Sequence, residues 1–229
     1  MTEGTGRQLI LDLPHRSAQG AEDFLVSQSN AAAVAMVDLW PQWPASALLL
    51  IGSPGSGKSH LVEVWRQRCD AQRIEAHELT AENVPGLLAQ RALALENAGP
   101  GLDETALFHL LNLAHQQEAH VLITSSFNLA QWNVTLPDLL SRLRAAPSVD
   151  IGAADDALLR GVLVKLFADR QLAVEETVIS YLVNRMPRSL AAARALVAEI
   201  DARALEEKAP VTRSFAARVL SSFAAPGLL

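Results

Sequence analysis

In the stretch ALLLIGSPGSGKSHLVEVW, residues 47–65, an apolar run breaks into a glycine- and serine-rich loop and resumes as a helical pattern. Gly52-Ser53-Pro54-Gly55-Ser56-Gly57-Lys58-Ser59 satisfies G-x-x-x-x-G-K-[ST] in full. The pattern has a physical logic. Glycines let successive N–H groups turn onto phosphate oxygens, and the start of the following helix adds a favourable dipole. Lys58 supplies a charge between phosphates, and the Ser59 hydroxyl is a ligand for Mg²⁺. A short buried strand over residues 47–51, this loop and a helix after it imply a bound nucleotide.

Around that unit the text alternates between helical and extended pieces. An alanine-rich helix follows Ser29 or Asn30, and PQWPAS interrupts it. QRIEAHEL and HVLITSS read as extended, DETALFHLLNLAHQQ and LPDLLSRLRAA as helical. Strands separated by helices predict an α/β fold with a parallel sheet flanked by helices. After about Gly152 the strand signals stop, and DDALLRGVLVKLFADRQ, EETVISYLVNRM, SLAAARALVAEIDARALEE and TRSFAARVLSSF share the helical period. The expected organisation is a leader over 1–20, a nucleotide-binding core over 21–151 and a small all-helical lid over 152–229.

Half of the 229 residues are apolar, enough for a sizeable core, and the formal charge of −6 disfavours a broad nucleic-acid footprint. Cys69 is the single cysteine, so no intrachain disulfide is possible. It is expected to be an inert thiol. The start lacks a signal-peptide pattern, and no segment offers about twenty uninterrupted apolar residues. A soluble, cytoplasmic protein without membrane contact is expected. The histidines at 60, 109, 115 and 120 lack metal-ligand spacing, and no nucleophile constellation is present. Trp40 and Trp43 are expected in packing, at the sheet or near a bound base.

A phosphate loop that hydrolyses nucleotide also needs an acid at the end of a second strand to hold Mg²⁺, and a carboxylate to activate water. RALALEN is the candidate, with a short strand over 92–95, then Glu96 as the Mg²⁺-orienting acid and Asn97 in the base position. An amide cannot accept a proton as a general base. Asp103 or Glu104 in the following loop is the alternative source of acid.

With these pieces placed, nearly the whole chain resembles the DnaA-related AAA+ family, and within it the short Hda-type regulators that inactivate the replication initiator DnaA. GKSHL, residues 57–61, is similar to that family's GKTHL and adds His60 to the nucleotide-binding set. FLVSQSNAAAVA resembles the segment beside the adenine base, which implies Asn30 near the nucleotide. HVLITSSFNL resembles the sensor-1 region, implying Ser125 or Ser126 near the terminal phosphate, although Ser126 and Phe127 stand where the family carries aspartate and arginine. LPDLLSRL resembles the arginine-finger segment, with Arg142 at the finger position. NRMPRSLAAA resembles the sensor-2 motif and implies Arg188 as a phosphate contact, with Arg185 and Arg194 as competing arginines. RQLILDLP resembles a peptide that binds the DNA polymerase sliding clamp through Gln8, Leu9, Leu11 and Leu13; the alternation alone is equally that of a short strand.

The resemblance implies an AAA+ core that binds ADP or ATP with Mg²⁺, associates with the clamp and with DnaA, and self-associates according to nucleotide state. It further implies a protein that promotes hydrolysis of DnaA-bound ATP in place of vigorous turnover of its own. The initiator's DNA-binding domain is not expected. The rival readings are an autonomous AAA+ ATPase such as a helicase loader, and a clamp adaptor whose nucleotide is structural.

Overall fold

The computed structural model describes residues 24–223; the leader over 1–20, with Gln8, Leu9, Leu11 and Leu13, lies outside the described residues. Five strands form one parallel sheet in the order β2-β3-β4-β1-β5: β1 (Ala47–Gly52), β2 (Gln72–Glu75), β3 (Ala92–Ala98), β4 (His120–Ser125) and β5 (Ser148–Ile151). The central strands are apolar on both faces because helices cover both. On one face Leu48, Leu50, Ala94 and Leu122 pack under α1 (Ala31–Asp38) and α2 (Lys58–Cys69). On the other, Leu49, Leu93, Leu95 and Ile123 pack under α3 (Val84–Leu87), α4 (Glu104–Gln116) and α5 (Pro137–Ala145).

Two strands differ from expectation. β5 carries only Val149 and Ile151 as apolar residues beside Asp150, too short a pattern to stand out, and it is a strand because it pairs with β1 at the sheet edge. β3 runs past the predicted stop at Leu95 to Ala98. Its register against β4 shifts between Leu95 and Ala98, and Asn97, at φ 58°, absorbs the irregularity. Asparagine tolerates this left-handed conformation better than most residues.

The remaining helices, α6 (Asp156–Asp169), α7 (Glu176–Val183), α8 (Leu190–Glu207) and α9 (Arg213–Phe223), share their own core, including Leu159, Leu163, Phe167, Leu182, Leu196 and Val219. Asp155 joins this unit to the sheet. Its carboxylate caps α6 at Leu158 N and accepts from Ser29 N at 3.1 Å, while Gly152 N donates to Ser29 O. Burial alone would raise the Asp155 carboxyl; the donors from Leu158, Ser27 and Ser29 outweigh it and hold the group below the usual range. No helix among the described residues is long and apolar enough to cross a membrane.

Trp43 stacks on Trp65 with ring centroids 5.4 Å apart, and its Nε1 donates to Met36 O. Trp40 meets the Trp65 edge at 6.3 Å. Both tryptophans therefore pack on the α1/α2 face and border neither cavity described below. Burial pushes the Cys69 thiol up to about 11, which leaves little thiolate at neutral pH.

Candidate functional site

The phosphate loop leaves the C-terminal end of β1, where open parallel sheets place their ligand crevices. Gly55 and Gly57 adopt φ of +75° and +107°, conformations that side-chain-bearing residues rarely take. A Cβ at Gly55 would lie 2.1 Å from Ser189 Oγ at the start of α8 and would force that hydroxyl to turn away. The backbone joins them as well, since Leu190 N donates to Gly55 O at 2.8 Å. The helical unit is thus fastened directly to the loop.

A cavity of about 360 Å³ opens over this loop. Its walls include Pro54, Gly55, Gly57, Lys58, Ser59 and His60, with Asn97, Ser126 and Arg194 facing them. Lys58 Nζ donates to Gly52 O at 2.6 Å, Ser53 O at 3.1 Å and Ser126 Oγ at 3.3 Å. Burial depresses the Lys58 ammonium below the ordinary lysine range, against which the Glu96 carboxylate acts. The lysine is held in place by its own loop, ready to exchange carbonyl oxygens for phosphate.

A second cavity of about 240 Å³ adjoins the first through His60, Leu190 and Arg194. Phe24, Leu25 and Asn30 form one side and Leu158, Val162 and Leu166 of α6 the other. Lys165, Asp169 and Arg194 also line it, and a slot with apolar walls and a few polar groups beside the phosphate loop suits a flat base. Asn30 borders it, yet its amide is engaged elsewhere: Oδ1 accepts from Ser27 N at 2.8 Å and Nδ2 donates to Leu25 O at 2.9 Å. It shapes the wall. Ser56 Oγ is buried at this end without a hydrogen-bond partner.

At the end of β3, Glu96 is 0% exposed, and its Oε2 accepts the Ser59 hydroxyl at 2.5 Å. A hydroxyl and a carboxylate are hard oxygen ligands of the kind Mg²⁺ takes, so Ser59 and Glu96 fit the metal that accompanies a nucleotide. No cluster of three or more His, Cys, Asp or Glu suited to a metal occurs among the described residues. Asn97 lies exposed at the cavity edge and donates to Glu75 Oε2 at 2.8 Å.

Several expectations are corrected here. Ser125 does not face the phosphates: its hydroxyl donates to Ala98 O and accepts from Phe127 N and Trp132 Nε1, which exhausts one donor and two lone pairs. Ser126 is the one that lines the cavity over the loop, where its Oγ accepts from Lys58 Nζ. Arg188 lines a separate crevice between Val26–Gln28 and the start of α6, where it pairs with Asp156. Arg194, one turn into α8, reaches the phosphate cavity instead, because α8 starts on the loop and carries position 194 over it. Arg185 lies over the Tyr181 ring at 4.4 Å. Asp103 and Glu104 are engaged elsewhere: Asp103 caps α4 at Ala106 N, and Glu104 accepts from Thr135 N and Leu136 N.

Arg142 is exposed on α5, with its Cζ 5.6 Å from the Phe108 ring centroid, and it borders neither cavity. One participant had no sequence signal at all: Arg73 Nε of β2 lies 2.7 Å from the second oxygen of Glu96.

No family model matches the chain, and no curated protein matches it. Solved structures do. Domain III of the replication initiation protein DnaA from Thermotoga maritima superposes with a TM-score of 0.76 at 18% identity, covering 90% of this chain and 96% of that one. AMPPCP-bound DnaA from Aquifex aeolicus gives 0.67 at 18% identity over 81% of this chain and 65% of that one. The Holliday junction branch migration motor RuvB of Thermotoga maritima gives 0.69 at 13% identity, covering 86% and 70%. A five-stranded parallel sheet with this strand order, a phosphate loop after β1 and a helical unit closing over it is the AAA+ P-loop fold, in the form seen in domain III of DnaA.

Proposed function

We infer that this chain is a DnaA-related AAA+ regulator of the Hda type: it holds ADP or ATP, turns it over slowly, and lends Arg142 to ATP bound by the initiator DnaA. The observation that carries the reading is a division of positions. The loop has every group needed to grip phosphates, Asn97 stands where a base is required, and the arginine that completes such chemistry faces outward. Lys58 and the loop N–H groups bind the phosphates, Ser126 keeps Lys58 aimed, and Arg194 adds charge from the lid. Ser59 and Glu96 are the side chains that would hold a Mg²⁺ arriving with the nucleotide, where the ion would neutralise phosphate charge.

Arg142 rests against Phe108, an aromatic face that orients a guanidinium without consuming its hydrogen-bond donors. Placed against another subunit's nucleotide, such an arginine accelerates hydrolysis by roughly 10³ to 10⁵. Gln8, Leu9, Leu11 and Leu13 tether the chain to the sliding clamp, one amide with spaced apolar anchors in sequence.

The test is hydrolysis of DnaA-bound ATP on addition of this protein with ADP and DNA-loaded clamp. Wild type accelerates hydrolysis, Arg142→Ala removes the acceleration by a factor of about 10³, and Gln8→Ala removes it by loss of the tether. No acceleration by wild type, together with rapid turnover of its own, makes the protein an autonomous ATPase and ends this reading.

A further inference from the structure

The Glu96 carboxylate is held from two sides. Oε2 accepts the Ser59 hydroxyl, and Oε1, which accepts no hydrogen bond, lies 2.7 Å from Arg73 Nε as an ion pair. A fully buried carboxylate is costly unless its charge is balanced, and here the balancing charge is built into the chain.

Strand register explains how. Glu75 of β2 pairs with Glu96 of β3, and Arg73 pairs with Ala94. Residues two apart share a sheet face, so Arg73 lies diagonally across from Glu96 on that face. Because β2 is an edge strand, the guanidinium stays in water while Nε reaches inward; its side chain is 44% exposed. Its Nη2 lies 3.4 Å from Glu75 Oε1, and Glu75 Oε2 accepts from the Asn97 amide. Ser59, Glu96, Arg73, Glu75 and Asn97 form one unbroken line of polar contacts across the end of the sheet.

We propose that Arg73 is a resident counter-cation for Glu96 that makes nucleotide binding nearly independent of Mg²⁺. This rests on the reading that the loop holds a nucleoside phosphate, and it names what governs the metal there. A guanidinium and a divalent ion that share one carboxylate repel each other, so the site formed by Ser59 and Glu96 holds the metal only weakly. The phosphates are then held chiefly by the loop N–H groups, Lys58 and Arg194. Arg73 acts through Glu96 and is a positioning residue.

The test is calorimetric binding of ADP to the full chain, in excess Mg²⁺ and in EDTA. For wild type the two dissociation constants agree within about threefold, and for Arg73→Gln Mg²⁺ tightens ADP by about tenfold or more. Arg73→Lys, which keeps the charge, behaves as wild type. A thermal melt of each variant reports folding, and if Arg73→Gln fails to fold the wild-type pair of measurements decides. Wild-type binding tightened tenfold or more by Mg²⁺, or an Arg73→Gln protein indistinguishable from wild type, overturns the proposal and leaves nucleotide binding standing. No ADP bound in either condition overturns both.

Discussion

The ends of β1 and β3 meet at one cavity and have been treated oppositely. After β1 the backbone is committed to phosphate: two glycines with positive φ, a buried lysine and a helix start leave little other use for the segment. After β3 the same cavity meets an amide, Asn97, and behind it lies the buried Glu96 carboxylate, within ion-pair distance of Arg73. On the function proposed above, the contrast separates gripping a nucleotide from cleaving it and places the two duties on different strands.

The largest effect belongs to the β1 side. Lys58→Ala removes charge-assisted bonds to phosphate and weakens ADP binding by about 100-fold, measured by calorimetry with a circular-dichroism melt as the folding control. Unchanged affinity breaks the comparison, because grip would then lie outside the loop. An intermediate effect separates the two lid arginines. Arg194→Ala weakens ADP binding about tenfold, while Arg188→Ala, paired to Asp156 in its own crevice, changes it less than about twofold. A reversed order returns Arg188 to the phosphates and redraws the lid.

The smallest effect sharpens the β3 side. Asn97→Asp restores a carboxylate, but Glu75 lies beside it and repels the new charge. Its own ATP turnover, followed as phosphate release, rises less than about tenfold, short of the roughly 10² to 10⁴ a positioned general base contributes. A rise of that full size would show that residue 97 alone separates gripping from cleaving.

What could be read from the chain follows the range of the interactions. The loop with its strand and helix was legible because its chemistry is local, eight consecutive residues between two apolar patterns. The helices after Gly152 were legible for the same reason, each carrying its own period. β5 was not, since four residues become a strand only by pairing with β1. Choosing among Arg185, Arg188 and Arg194 needs the point where α8 docks, a tertiary fact. Ser125 and Ser126 are identical side chains, and the sheet decides which one turns inward. Arg73 belongs to no motif; only the register of β2 against β3 brings it to Glu96.

The bond from Leu190 N to Gly55 O gives the molecule a gearing. α8 is a single helix of 18 residues whose base is pinned to the loop, a rigid arm about 27 Å long. A tilt of about 10° at its pinned end carries the far end by about 5 Å. Because α8 is buried along one side in the core of the helical unit, such a tilt would carry that whole unit with it, and Lys208 at its far end would move the most.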